Sequence, residues 1–180
     1  MKHTMDFLRG QRHFLRGEYR RSIMEFGGAL ESGMDAASIH MPLGLAYFKN
    51  ANFSEAAAEF SRALDLNPAN DQALFLRGMA LFNNEEPERA LEDFNAIVRL
   101  NPSRGRIFVA RSLVLQAMGR QAEAERDLQS AIELGEVEAE LFIREYCLTL
   151  PLRGLAMSLF DAHRAGWGRE LRGGATNATH

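Results

Sequence analysis

Apolar residues recur at helical spacing along most of the chain, and the pattern itself repeats every 34 residues. The clearest marker is the ending LDLNP at residues 64–68, which returns as VRLNP at residues 98–102. Proline cannot continue a helix, so each ending closes a unit. Turn-forming residues divide each unit into two segments of helical length, and they are Gly17, residues 50–52, residues 83–87 and Gly119. No stretch alternates with a period of two, so the pattern predicts helices and no strands.

Four successive units share columns of small and of large residues. The first small column holds Gly10, Gly44, Gly78 and Ser112, and the second holds Ser22, Ala56, Ala90 and Ala124. The large apolar column holds Phe26, Phe60, Phe94 and Leu128. Small residues let two helices cross closely, while large ones fill the space beside the crossing. The columns predict units at 3–36, 37–70, 71–104 and 105–138.

This pattern resembles the tetratricopeptide repeat family. The unit 37–70 is the closest match, and its matching residues are Leu43, Gly44, Tyr47, Ala56, Phe60, Ala63 and Pro68. His40 stands where the family prefers tryptophan. The resemblance implies an all-α fold, a right-handed superhelical solenoid of antiparallel helix pairs with four repeats and C-terminal capping helices. The first helices of the pairs would line a concave groove.

The segment after the fourth unit begins a fifth unit that is degenerate. Residues 138–150 can form one more first helix, and Pro151 then interrupts the pattern. Apolar residues at helical spacing follow, and they are Leu152, Leu155, Ala156, Leu159 and Phe160. An array needs a cap because its last unit would otherwise expose an apolar face. We therefore expect capping helices in 139–166 and a flexible tail in 167–180.

The resemblance also places three columns of each first helix in the groove. Ten of these twelve positions are apolar, and we expect them to bind a partner: Phe7, Phe14, Met41, Leu45, Phe48, Phe75, Met79, Phe82, Val109 and Leu113. The other two are Gln11 and Gln116. An uncovered apolar groove of this length would exceed the largest patch of a typical monomer, roughly 300–600 Å². The candidate covers are a partner segment, a second copy of the chain, or the predicted C-terminal helix 152–165.

The implied function is non-catalytic protein–protein interaction, as an adaptor, scaffold or chaperone-like module that binds an apolar or amphipathic partner segment. The alternative is a self-assembling scaffold whose groove or end faces bind another copy, which would make a homo-oligomer. Some family members clamp the C-terminal carboxylate of heat-shock chaperones with charged groove residues. The apolar columns argue against that use here, since Arg106 is the only basic residue in a comparable place. Small bacterial secretion chaperones of the family, which cradle hydrophobic substrates, fit better.

A charge pattern crosses the units. Arginine precedes the small column in three of them, at Arg9, Arg77 and Arg111, and an acid follows sixteen residues later, at Glu25, Asp93 and Asp127. The arginine lies on the first predicted helix of its unit and the acid on the second. We expect these residues to form ion pairs that align the two helices, which leaves the arginines little to offer a ligand.

Composition and residue spacing argue against several classes of function. A net charge of −3 is not that of a nucleic-acid-binding protein. The five histidines and the single Cys147 are dispersed, so we expect no metal, no cofactor and no enzyme activity. No apolar run is long enough for a membrane span or a secretory signal, and one cysteine fits a reducing compartment, so we expect a cytoplasmic protein. Arginine-rich usage, with only Lys2 and Lys49 as lysines, favours a bacterial source.

Overall fold

A computed structural model of the chain describes residues 2–146, apart from the side chains of residue 132 and of residues 135–146. Eight helices occupy this range: α1 (Lys2–Leu15), α2 (Tyr19–Glu31), α3 (Ala36–Lys49), α4 (Phe53–Leu66), α5 (Asp71–Asn83), α6 (Pro87–Leu100), α7 (Gly105–Ala117) and α8 (Gln121–Tyr146). Residues 2–146 contain no strand. The prediction of an all-α fold is confirmed.

The helices pack in chain order. Each helix contacts the next, from α1 on α2 to α7 on α8, and smaller contacts join α3 to α5 and α5 to α7. Contacts restricted to neighbouring helix pairs are the property that defines a solenoid. Successive first helices, α1, α3, α5 and α7, therefore form one layer, and the second helices form the other.

The turn inside each unit uses the same backbone conformation. One residue per turn has a positive φ, and these residues are Gly17 (73°), Ala51 (62°), Glu85 (64°) and Gly119 (74°). Their spacing is again 34 residues, so the predicted turns are confirmed. Glycine suits this left-handed region because it has no Cβ, whereas alanine and glutamate adopt it at a cost.

The small column allows the two helices of a unit to cross closely. A Cβ atom built on each of the three glycines would lie far inside contact distance of the phenylalanine opposite. The distances are 2.6 Å from Gly10 to Phe26, 2.7 Å from Gly44 to Phe60 and 2.9 Å from Gly78 to Phe94. The fourth unit changes both partners, with buried Ser112 in the glycine column and the smaller Leu128 in the phenylalanine column.

The predicted ion pairs are present in all three units. Arg77 donates to both oxygens of Asp93, at 2.9 and 2.7 Å, and this hydrogen bonding raises the pKa of Arg77 above its usual value. Arg111 holds Asp127 in the same two-pronged way, at 2.6 and 2.7 Å. The pair in the first unit is a single bond from Arg9 Nε to Glu25, at 3.0 Å. Each pair joins the first helix of its unit to the second.

The second unit carries a variant of this pair that the sequence analysis missed. Leu43 replaces the arginine, but Glu59 still stands sixteen residues later, and both Glu59 and His40 are buried. His40 Nδ1 lies 2.7 Å from Glu59 Oε2. The histidine that replaces the family's tryptophan therefore takes over the contact of the missing arginine. Glu59, which stands in the expected acidic column, was the sequence feature that could have revealed this pair.

Helix α8 differs from the expected layout. It runs without a break from Gln121 to Tyr146, through the boundary predicted at residue 138. The physical reason lies in Glu136, which occupies the column of Pro68 and Pro102 and does not stop a helix. The described part of the expected fifth-unit helix is thus fused to the second helix of the fourth unit. The remaining capping segment up to residue 166, the tail 167–180 and Cys147 lie outside the described residues.

Candidate functional site

The ten predicted groove residues divide into two groups by burial. Four keep part of their surface, and they are Phe7, Phe14, Met41 and Leu45. Six are buried, with no more than 4% of their surface exposed, and they are Phe48, Phe75, Met79, Phe82, Val109 and Leu113. The first group lies on α1 and α3. The second lies on α5 and α7, except for Phe48 near the end of α3.

We call Phe7, Phe14, Met41 and Leu45 the open half of the groove, and Phe75, Met79, Phe82, Val109 and Leu113 the closed half. The ten side chains do not form one exposed surface, because the closed half and Phe48 belong to a continuous buried cluster. The reason is that α5 and α7 are apolar around most of their circumference, and folding buries such helices. The role of the ten residues in partner binding stays a prediction.

The open half contains an apolar cavity. Its volume is about 320 Å³, and its lining residues are Gln11, Phe14 and Leu15 from the α1 side, Phe26 from α2, and Pro42 and Leu45 from α3. The structure therefore brings Phe14 and Leu45 together across two units. A cavity of this size falls at the small end of ligand sites, roughly 300–1,000 Å³, and suits a few side chains.

Two lining residues were missed by the sequence analysis. Leu15, the last residue of α1, is 86% exposed at the mouth of the cavity. Pro42 lies inside α3, where it has no N–H group to donate along the helix. A proline within an otherwise family-like first helix was the signal that could have identified this place.

Positive charge lies beside the open half. Arg12 and Arg16 are exposed and follow the lining residues Gln11 and Leu15 in sequence. Arg9, by contrast, is held by Asp6 first and by Glu25 second, and both contacts raise its pKa. The exposed arginines therefore put positive charge on the end of α1 that supplies part of the lining.

Two amide oxygens beside the closed half have no donor within the described part of the chain. They are Oδ1 of Asn83 and Oε1 of Gln116, and both atoms are buried. The other amide atom of Asn83 donates to the Met79 carbonyl at 2.8 Å. Arg106 stacks over the ring of Phe75, 5.0 Å from its centroid. The closed half is thus an apolar surface with two hydrogen-bond acceptors at its edge.

A second cavity, of about 280 Å³, lies between α6, α7 and α8 and has a polar lining. Four of its five charged lining residues form ion pairs, Arg111 with Asp127 and Arg120 with Glu123. The Arg120 hydrogen bond lowers the pKa of Glu123. These contacts give the cavity a structural role. Across the described residues, no cluster of histidine, cysteine, aspartate and glutamate is arranged to hold a metal.

Comparison with known proteins agrees with the geometry. A model of the tetratricopeptide repeat family matches residues 41–104. A structure of MamA MSR-1 aligns with a TM-score of 0.70 at 22% identity, over 77% of this chain and 79% of that chain. YrrB, described as a TPR protein with an unusual peptide-binding site, aligns with a TM-score of 0.66 at 25% identity, over 70% and 65% of the two chains.

A third structure is the first TPR of Spaghetti (RPAP3) bound to the HSP90 peptide SRMEEVD. It aligns with a TM-score of 0.60 at 22% identity, over 66% of this chain and 94% of that chain. No curated protein matches the sequence. Within the described residues, no helix is both long enough and apolar enough to cross a bilayer. Residues 41–104 thus match the model of the tetratricopeptide repeat family, and the helix pairs of the described chain have the fold of that repeat.

Proposed function

We propose that the chain is a non-catalytic protein-interaction module, an adaptor, scaffold or chaperone-like protein of the cytoplasm. It binds an apolar or amphipathic segment of another protein, which inserts apolar side chains into the open half of the groove. The observation that carries this proposal is the cavity formed by Phe14, Leu15 and Leu45 with their neighbours. An exposed leucine at the mouth of an apolar cavity is a typical place for a partner's anchor side chain.

The chemistry of the open half describes the partner segment. Its contacting face should be apolar, since five of the six lining residues are. An acidic flank would be attracted by the exposed Arg12 and Arg16, and that part of the affinity should fall with salt. Helix-in-groove binding uses anchors spaced three or four residues apart.

A carboxylate clamp is a poorer fit. The RPAP3 repeat was solved with a peptide that ends in acidic residues, EEVD. The corresponding surface here is apolar, and Arg106 already stacks on Phe75. A desolvated carboxylate needs charged donors that converge on it. The apolar anchors of the open half therefore support an apolar partner segment instead.

The test compares two full-length variants with the native chain. Phe14→Asp places a charge in the cavity, whereas Met24→Asp places the same charge on an exposed position of α2 outside the groove columns. Proteins that the native chain captures would be truncated until the shortest segment that still binds is found. That segment is made as a synthetic peptide, and its affinity is measured by calorimetry. We expect an apolar or amphipathic peptide whose affinity falls at least tenfold with Phe14→Asp and is unchanged with Met24→Asp.

Helicity measured by circular dichroism controls for folding in both variants. A peptide that binds the Phe14→Asp chain as tightly as the native chain would place the site elsewhere. A binding segment that has no apolar face would contradict the proposal as well.

Self-assembly is the second candidate, and one observation favours it. The first unit exposes three large apolar residues besides Leu15, and they are Met5, Leu8 and Met24. Isolated exposed apolar residues are common, but several on one end unit are typical of an association surface. Sedimentation velocity over a range of concentrations tests this candidate. A concentration-dependent oligomer that dissociates with Met5→Asp/Leu8→Asp would support it, and a monomer at every concentration would reject it.

A further inference from the structure

One side of α1 is exposed, although the same side of the later first helices is buried. Met5 and Arg12 are both exposed. Their counterparts in the later units are at most 1% exposed, and they are Ile39, Ala73 and Ile107 for Met5, and Ala46, Ala80 and Val114 for Arg12. Leu8 is exposed as well, whereas Leu76 and Ala110 of its column are buried. We call this side of α1, with Met5, Leu8, Arg9 and Arg12, the leading face.

The preceding second helix accounts for the difference. Helices α3, α5 and α7 each pack against the second helix of the unit before them, which is α2, α4 or α6. Within residues 2–146, only α2 makes an extensive contact with α1, and it belongs to the same unit. A terminal repeat that only ends an array has a polar outer face. Met5 and Leu8 depart from that rule, so the leading face is suited to receive another helix.

Arg9 lacks a contact that the equivalent arginines make with the preceding helix. Arg77 Nη1 donates to Ser61 Oγ at 3.2 Å, and Arg111 Nη1 donates to Asn95 Oδ1 at 2.9 Å. Both acceptors lie on a second helix, α4 or α6, in the same column. The Arg9 side chain is 49% exposed, and no acceptor among the described residues meets its Nη1. A docked second helix would supply one.

Helix α8 carries the next members of the columns that face a following first helix. Gln129 follows Asn95 at the 34-residue spacing and has the same type of amide acceptor. Glu125 is exposed, although its counterparts Ala57 and Leu91 are buried. Of the other described helices, only α7 packs extensively against α8. We call the side of α8 with Glu125 and Gln129 the trailing face.

We propose that copies of the chain associate head to tail, with the leading face of one copy packed on the trailing face of the next. The proposal rests on the second candidate function, self-assembly, and names the two surfaces that meet. Arg9 would donate to Gln129 of the neighbouring copy, as Arg111 donates to Asn95 within the chain. Because the two faces differ, each dimer keeps one of each free and can grow further.

Opposite net charges of the two helices favour this pairing. Helix α1 has three basic residues, Lys2, Arg9 and Arg12, and one acidic residue, Asp6. Helix α8 has eight acidic residues and two basic ones. Complementary charge steers association and disfavours the pairing of like surfaces. It therefore supports a second copy as the occupant of the leading face, and α8 rather than α1 as the helix that docks there.

The local charges agree with the helix charges. Within the chain, Leu91 of α6 lines one cavity with Arg111 of α7. The residues in the same columns at the proposed contact are Glu125 of one copy and Arg9 of the next. An acid would therefore lie beside an arginine at the contact between copies, where the contact inside the chain has a leucine.

Two variants of the full chain, each with one face blocked, test the proposal. Met5→Asp/Leu8→Asp places charges on the leading face, and Glu125→Arg/Gln129→Arg reverses the charge of the trailing face. Sedimentation velocity over a range of concentrations should show oligomers of the native chain and at least tenfold weaker self-association of either variant. An equal mixture of the two variants should form a one-to-one dimer, because each still has the face that the other has lost.

Matched control variants carry the same changes of charge outside both faces. Met24→Asp/Ser32→Asp controls for the leading face, and Ala122→Arg/Glu133→Arg controls for the trailing face. All four control positions are exposed in every unit of the array, so no neighbouring helix covers them. Both controls should assemble like the native chain. Circular dichroism checks that all four variants keep their helices.

The outcomes separate this proposal from self-assembly in general. A native chain that stays monomeric at every concentration would overturn both. Assembly that is lost with the blocked leading face but kept with the blocked trailing face would leave self-assembly standing and overturn the head-to-tail contact. A mixture of the two blocked variants that forms no dimer would also overturn it. Partner binding in the open half is measured separately and does not enter this test.

Photo-crosslinking provides a second measurement in case a blocked variant does not fold. A benzophenone amino acid replaces Met5, and isotope-labelled and unlabelled chains are mixed, so that mass spectrometry separates crosslinks between chains from those within a chain. We expect crosslinks between chains that join position 5 to peptides from 121–134. Crosslinks confined to one chain, or directed to another segment of the second copy, would contradict the proposal.

Discussion

Leu45 and Met79 occupy the same column of neighbouring units, yet they lie in different environments. Leu45 lines an accessible cavity beside Phe14, whereas Met79 is fully buried among the residues of the core cluster. Their local sequence contexts are alike, since each lies on the first helix of its unit one residue after the close-crossing glycine. The difference between the two halves of the groove therefore arises from what packs on them.

This contrast separates two uses of one repeat pattern. In the open half, apolar groove residues form a surface with a cavity that can receive a partner's side chains. In the closed half, equivalent residues contribute to the stability of the array. A repeat column therefore defines a position in the fold, while tertiary packing decides whether that position binds or stabilises.

The largest difference between the two halves is expected when Met79 and Leu45, which share a column, are each shortened to alanine. Met79→Ala should lower the free energy of unfolding by about 3 kcal/mol, because it leaves a cavity in a packed core. Leu45→Ala should lower it by less than about 1.5 kcal/mol, since that side chain already keeps part of its surface in water. Denaturant unfolding followed by circular dichroism measures both. Equal losses would remove the distinction between the two halves.

Two of the ion pairs also differ in burial, and we expect a smaller difference in stability between them. The side chain of Asp93 is 5% exposed and accepts two bonds from Arg77, whereas that of Glu25 is 28% exposed and accepts one from Arg9. Asp93→Asn should therefore cost about 2 kcal/mol of stability. Glu25→Gln should cost no more than about 1 kcal/mol, because water replaces the lost contact. The same unfolding experiment compares the pairs, and a larger loss for Glu25→Gln would contradict this account.

Much of the fold was predictable because its determinants are local. Prolines, turn residues and the glycine column each act within one unit, and Gly44 against Phe60 shows why the column must be small. The Arg77–Asp93 pair was predictable since its sixteen-residue spacing recurs. His40–Glu59 was missed because the partner of the acid lies three residues earlier on the helix than the arginine does in the other units, while the acid stays in its column.

The candidate site was predictable only in part. The sequence indicates which columns belong to the groove, and Phe14 and Leu45 do line a cavity. It does not indicate burial, because the exposure of Met79 depends on how the side chains of the core cluster pack around it. Helix α8 is a related case, because the absence of proline at Glu136 was visible in the sequence but a continuous helix to Tyr146 was not predicted from it.

The within-unit turns are a place where the two halves should not differ. Ala51 and Glu85 have positive φ values of 62° and 64°. This conformation lowers the stability of the folded chain for both residues, whereas glycine adopts it freely. Ala51→Gly and Glu85→Gly should each raise stability by up to about 1 kcal/mol, and by similar amounts. Thermal unfolding measures the shift. A stabilisation in one half only would show that the turns take part in the difference between the halves.

The most direct test of the central claim measures the accessibility of the groove methionines in the native chain. Methyl resonances of 13C-labelled methionine are recorded with a soluble paramagnetic probe, and Met24, exposed on α2, serves as the reference for full accessibility. The account predicts clear broadening for Met41 in the open half and none for Met79 in the closed half. Broadening of Met79 as strong as that of Met41 would show that the groove has no closed half, and the account would be wrong.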